Sequence, residues 1–228
     1  MTALPREAVM KTTVGRLPSE IGIRWDIGLA WRRQFERGVY SLTHLNVHFQ
    51  DVAREFRRLG QFLEANGVSV PSAVDVGCGN GVITTRLRDL LGLQVISGIE
   101  RNARLAALAR EKGIKVVEGD MERLRGGLRR DLAICYGSLH HSADIGQSIR
   151  TLAALSSDYV LIVDNSVRDT WFHRITGSAL FPFELSPYRI RTRDEIAAAI
   201  RQELNLVAVE TFPNANVWHD RTFFLARV

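Results

Sequence analysis

Residues 73–82 read AVDVGCGNGV. An apolar, β-branched run that holds one acid, Asp75, ends at Gly77. Glycines recur at 79 and 81, and a second apolar segment starts at Val82. Such a run reads as a short buried strand turning sharply into a helix. Glycine at alternate positions permits positive φ and lets backbone approach a ligand closely. The start of the following helix adds unpaired N–H groups and the positive end of its dipole, which attract an anionic group. A dinucleotide fingerprint would need glycine at 82, where Val82 stands, and a phosphate loop would need Gly-Lys-Ser/Thr. Asp75, two residues before Gly77, repels a phosphate and welcomes a ligand with an ammonium group, directly or through water.

Outward from this turn the chain alternates. Short runs at 73–76, 94–99, 115–117, 132–135 and 159–163 read as buried strands, and helical patterns lie at about 82–91, 102–112 and 144–155. Gly113 is a natural stop for the second helix. Thr192 and Glu195 form a capping box ahead of Ile196, Ala199 and Ile200, and two late strands are expected at 206–211 and 222–226. This alternation predicts an α/β, doubly wound, mostly parallel sheet covered on both faces. Ligands of such sheets collect at the carboxyl ends of the strands, near the switch in strand order.

The first 66 residues differ in character. Phe49, Val52, Phe56, Leu59 and Leu63 recur at spacings of three and four until Asn66-Gly67, which predicts one amphipathic helix, and WDIGLAWRRQF earlier reads as a second. Of 18 Phe, Trp and Tyr residues, only Tyr136 and Tyr159 fall between Gly67 and Asp164. Flat side chains concentrated in both flanks suggest a cover over a ligand cleft. The expected organisation is therefore a helical lid segment at 1–66 and a core at 67–228. Residues 166–191 form a candidate cap inserted after the fifth strand. Tyr40 and His44 on one side, and Trp171, Phe172 and His173 on the other, are the candidate acceptor-binding residues.

Composition narrows the class. The net charge is +5, and 27 of 30 basic residues are arginine, spread along the chain without a dense basic tail. A nucleic-acid partner is thus open but not favoured. Two cysteines, Cys78 and Cys135, make neither a disulfide framework nor a zinc spacing, so a cytoplasmic, reducing setting is expected. No leader pattern and no run of about 18 apolar residues stands out, so no membrane role is expected. Oligomeric state is not legible.

The stretch VDVGCGNG, residues 74–81, resembles motif I of the class I S-adenosylmethionine-dependent methyltransferases, with its D/E-x-G-x-G-x-G pattern. Later stations agree over about 67–165. The resemblance implies a seven-stranded Rossmann-like sheet and S-adenosyl-L-methionine as cofactor. Asp75, Gly77, Cys78, Gly79 and Gly81 would cradle its amino-acid part. Glu100, followed by Arg101 in ISGIERN, would accept from both ribose hydroxyls. Asp120 would accept from the adenine amino group, with the Met121 N–H facing the ring. Tyr136, Gly137 and Ser138, in LAICYGSLHHSAD, would line the methionine side.

Methyl transfer to a hydroxyl or amine needs a base, and His140 and His141 sit just past the fourth strand, with His141 ahead of His140 as the catalytic candidate. YGSL at 136–139 departs from the Asn/Asp-Pro-Pro-aromatic motif of enzymes acting on exocyclic base amines. VDNS at 163–166 is similar to the Asp-Asn pair of metal-dependent catechol-type enzymes. Their other acidic ligand is missing after the fourth strand, so no metal is expected. The implied activity is transfer of a methyl group to an O, N or C nucleophile of a small-molecule acceptor. RNA or protein methylation by the arginine-rich surface stays open, as does a cofactor-binding partner protein with no transfer activity.

Overall fold

The computed structural model describes residues 42–124, 128–167, 191–213 and 220–228, with backbone alone over 42–52. In chain order the elements are α1 (Leu42–Ala65), β1 (Ser72–Val76), α2 (Val82–Leu91), β2 (Val95–Glu100), α3 (Ala103–Arg110) and β3 (Lys115–Glu118). They continue with β4 (Arg130–Tyr136), a 3-10 turn at Leu139–His141, α4 (Ile145–Leu155), β5 (Ser156–Ser166), α5 (Arg193–Glu203), β6 (Asn205–Pro213) and β7 (Asp220–Arg227).

The seven strands form one sheet in the order β3-β2-β1-β4-β5-β7-β6. The first five pair in parallel, while β7 runs antiparallel to both β5 and β6. The expected mostly parallel, seven-stranded architecture is therefore present. Strand order switches direction at β1, whose neighbours are β2 and β4, and a crevice opens there at the carboxyl ends.

The alternation of side chains along each strand decides the two layers. Ala73, Leu132, Ile134, Leu161, Val163, Phe223 and Leu225 point to the face covered by α1 and α2. Their chain neighbours Val74, Ala133, Cys135, Val160, Ile162, Phe224 and Ala226 point to the face covered by α4 and α5. The predicted stripe of α1 is buried through Phe56, Leu59, Phe62 and Leu63. Small residues Ala106 and Ala109 let α3 approach the loop after β1 closely.

Helix starts follow from short polar side chains that accept the first unpaired N–H groups. Asn102 accepts from the amides of Arg104 and Leu105, and Asp144 from that of Gln147. The Thr192–Glu195 capping box is formed in both directions, at 3.2 and 2.6 Å. The second N-terminal helix and nearly all of the expected cap lie outside the described residues. Among the described residues no helix is long and apolar enough to cross a membrane.

Candidate functional site

β1 ends at Val76, and the chain turns at once. The amides of Gly77 and Cys78 both donate to the Ile99 carbonyl, at 2.8 and 3.1 Å, which pins the turn to β2. Gly77, Gly79 and Gly81 all have positive φ (81°, 55° and 80°). A Cβ on Gly77 would stand 2.5 Å from Ser138 Oγ, and one on Gly81 would stand 2.6 Å from Ile114 Cδ1 and 3.0 Å from Ala109 Cα. Around Gly79 nothing lies within 4 Å. Two of the glycines are thus demanded by packing, and the third borders open space that a side chain would enter.

Beside this turn lies a cleft of about 290 Å³, whose walls include Gly77, Glu100, Arg101, Asp120, Met121, Gly137, Ser138 and His141. Glu100 closes β2 and is 8% exposed. Its Oε2 accepts from the Gly79 amide at 2.9 Å and its Oε1 from the Asn102 amide at 2.8 Å. The carboxylate ties the glycine turn to the start of α3 and keeps further lone pairs for a ligand. Asp120 Oδ1 accepts from the Glu122 amide at 2.9 Å, and Glu122 Oε1 accepts from the Ala143 amide across the cleft rim.

Asp75 lies under the turn rather than on the cleft wall. Thr84 Oγ1 donates to its Oδ2 at 2.6 Å, and its buried Oδ1 has no partner among the described residues. Burial pushes its pKa up to about 7; the Thr84 hydrogen bond opposes this, and the charge of Glu100 adds to it. Cys78 is turned away too: its Sγ fills the space above Gly98, where a Cβ would stand 2.5 Å from it. Burial raises the Cys78 thiol far above its usual range and that of Cys135 to about 12, so both are protonated, unreactive core groups.

At the other end of the cleft, β4 leads into the 3-10 turn. Ser138 Oγ donates to the Val76 carbonyl at 2.9 Å, holding this turn against the glycine turn. The His140 amide donates to Asp164 Oδ2 at 2.8 Å, and its Nδ1 lies 2.5 Å from Asp164 Oδ1, which also accepts from the Asn165 amide at 2.7 Å. Burial alone would raise the Asp164 carboxyl. The charge and hydrogen bond of His140, with help from Arg221 and the Asn165 amide, overcome burial and hold it below its usual value. An ionised Asp164 can only accept, so the His140 ring donates to it through Nδ1. His141 faces the cleft, its ring centre 4.1 Å from that of His140. Burial and the charges of His140 and Arg101 lower it to about 4, against an opposing pull from Asp164.

Tyr136 does not line the cleft. Its ring lies beneath the Arg221 guanidinium, 4.8 Å from ring centre to Cζ, and 5.6 Å from Phe56. Buried Arg221 donates through Nε to Glu55 at 2.7 Å and through Nη1 to Asn165 Oδ1 at 3.2 Å. Glu55, Asp164 and Arg221 were not expected in these roles. The signals for them were an acid on the apolar stripe of a helix, an acid closing a fully apolar strand, and an arginine opening one. Tyr40, Trp171, Phe172 and His173 lie outside the described residues, and His44 lies in the part of α1 described by backbone alone. Among the described residues no cluster of three His, Cys, Asp or Glu could hold a metal.

A family model described as a methyltransferase domain matches residues 73–158. A ubiquinone biosynthesis O-methyltransferase of Rickettsia canadensis is 31% identical over 91 residues, 38% of this chain and 39% of that protein. The chain thus matches about two fifths of that relative's length. Magnesium protoporphyrin IX methyltransferase from Synechocystis, solved with bound S-adenosylhomocysteine, superposes with a TM-score of 0.64 at 14% identity, over 91% of this chain and 97% of that one. An N-methyltransferase from Bradyrhizobium japonicum, also with S-adenosylhomocysteine, gives 0.58 at 15% identity over 76% and 86%. At these identities the two structures establish the fold.

Proposed function

We propose that the chain is a class I S-adenosylmethionine-dependent methyltransferase, that its cleft binds S-adenosylmethionine and that it methylates a small-molecule acceptor. The observation that carries this reading is the tie between Glu100 and Gly79. It sets a carboxylate with spare acceptor capacity beside an open glycine cradle, at the switch point of a parallel sheet.

The residues present fit the cofactor. The bare backbone at Gly77 and Gly79 takes its amino-acid part, with the unpaired Asp75 oxygen beneath the turn as the complement to its ammonium group. Glu100 receives the ribose hydroxyls, with Arg101 at its rim. Asp120 and the Met121 amide receive the adenine, and Gly137 with Ser138 closes the methionine side. Cys78, Gly81 and Tyr136 serve this site from behind, by shaping the turn and backing β4. When bound, the cofactor supplies an electrophilic methyl group.

The chain's own work is to align the nucleophile and take its proton. Of the two histidines, His141 lines the cleft, whereas His140 borders the adjoining small cavity with Asp164; His140 is the better base for an acceptor that reaches its ring from that side. Asp164 fixes its tautomer with the lone pair on Nε2 and stabilises the imidazolium that proton uptake would form. His141, lowered to about 4, stays neutral at the cleft wall and positions the acceptor.

Methyl-labelled S-adenosylmethionine, incubated with the protein and a fractionated cell extract, tests this. Label is expected in the small-molecule fraction and absent when His140→Gln replaces the wild type. Label in RNA or protein would overturn the acceptor class. Binding without labelling of any fraction would overturn the enzymatic reading.

A further inference from the structure

The buried cluster behind Tyr136 is not used by the site described above. Glu55 on α1 and Arg221 on β7 are each 6% exposed and stand 166 residues apart in sequence, joined at 2.7 Å. Such a pair is a poor device for holding a helix, because desolvating two charges cancels most of their attraction. Phe56, Leu59, Phe62 and Leu63 already bury α1 on the sheet. Something other than packing must account for the charges.

We propose that Glu55 and Arg221 are positioning residues for the His140–Asp164 pair, so that docking of α1 on the sheet sets the state of the base; this rests on His140 acting as that base. The path is continuous. Arg221 Nη1 donates to the Asn165 side chain, and the Asn165 amide donates to the same Asp164 oxygen that faces His140 Nδ1. Arg221 also contributes to keeping Asp164 ionised. Its planar fork is the natural bidentate partner of a carboxylate, and an unrestrained Arg221 would compete with His140 for Asp164. Glu55 takes the Nε edge and Tyr136 backs the guanidinium plane, which holds the arginine at its station. Asp164 keeps its short contact with the imidazole.

Among the described residues, the charged and titratable groups around Asp164 are few. His140 and His141 come from the turn, and Cys135 and Tyr136 from β4. Arg221 comes from β7, with Glu55 of α1 behind it. Arg191, ahead of α5, shares a small cavity with His140 and Asp164. Arg221 is the member of this set that reaches Asp164 through Asn165, so its removal changes the field at Asp164 while the pair itself is left intact.

The test uses the full chain, with no acceptor. Nuclear magnetic resonance reads the His140 Nδ1 proton, assigned by its loss in His140→Gln, and the titration of the Asp164 carboxyl carbon. Glu55→Met/Arg221→Met leaves no unpaired charge and is expected to fold. It should raise the Asp164 midpoint by about one pH unit and shift the Nδ1 proton, with S-adenosylhomocysteine affinity within about twofold of wild type. Arg221→Lys, which keeps the charge, should return the midpoint towards wild type. If the double variant does not fold, Glu55→Gln serves: it releases Arg221 towards Asp164 and should weaken or broaden the Nδ1 proton signal. A wild type with no such proton would remove the base reading itself. A wild-type proton and midpoint that persist unchanged in the variants would overturn the coupling alone.

Discussion

His140 Nδ1 stands 2.5 Å from Asp164 Oδ1 across 24 residues of sequence, while the adjacent His141 turns to the cleft wall. One imidazole is thus held by a carboxylate and the other is exposed to the ligand space with its basicity suppressed. The two histidines, equivalent as a dipeptide, are separated by what each packs against.

It follows that the two substitute differently. His140→Gln should lower the single-turnover transfer rate by about 100- to 10,000-fold, the usual worth of a positioned base. His141→Gln should act mainly on the acceptor's KM. Both should bind S-adenosylhomocysteine nearly as wild type does. A larger loss of rate in His141→Gln would reverse the assignment.

Asp75 gives a stability signature. Its folded pKa of about 7 exceeds its ordinary 3.8, so the folded state holds the proton more tightly between those values. Wild-type stability therefore declines as pH rises through that window, and the full loss stands above it. Asp75→Asn lacks the titration. Its Tm should match wild type near about pH 4 and exceed it by several degrees near about pH 8, while its affinity for S-adenosylmethionine falls. Equal Tm differences at both pH values would show that Asp75 does not titrate in this window.

The three glycines of the turn should separate by experiment. A side chain at positive φ costs roughly 1–2 kcal/mol anywhere. At Gly81 it also meets Ile114 and the Ala109 backbone, so Gly81→Ala should unfold at clearly lower denaturant than Gly79→Ala. An added Cβ at Gly79 meets nothing within 4 Å, so Gly79→Ala should fold well, and with the turn cradling the cofactor as proposed it should bind S-adenosylhomocysteine at least about tenfold more weakly. Denaturant melts and calorimetry on the two variants check both halves.

Most of this frame was legible in the sequence because it rests on local patterns. Short apolar runs between helical patterns predicted the strands and a sheet covered on both faces. Thr192 and Glu195 announced α5, and the glycine turn with Glu100 announced the cleft. What stayed hidden is long-range pairing of polar groups. Asp164 closes the apolar run Val160–Ile162 with Val163, and its neighbour Asn165 suggested a metal pair; only the fold brings His140 against it. The partner of Glu55 lies 166 residues away. Tyr136 and Cys78 belong to motifs that point at the ligand, yet the strand pleat and Gly98 turn both side chains into the interior.

Metal dependence is settled by a simple addition. Both Asp164 oxygens accept hydrogen bonds and Asn165 Oδ1 accepts from Arg221, so a metal at this pair would have to compete with His140 and Arg221. Methyl transfer should survive excess EDTA. Loss restored by magnesium would make Asp164 and Asn165 ligands and displace the base assignment.

The proposed reading places S-adenosylmethionine in the cleft beside Glu100 and the glycine turn. Titration calorimetry of S-adenosylhomocysteine into the wild type and Glu100→Ala tests it most directly. Saturable binding at one site per chain is expected, with no binding of NAD. Glu100→Ala should weaken that affinity by about tenfold or more, since a hydrogen bond to a charged acceptor contributes roughly 1.5–3 kcal/mol. No heat with S-adenosylhomocysteine, or an affinity untouched by Glu100→Ala, would contradict it.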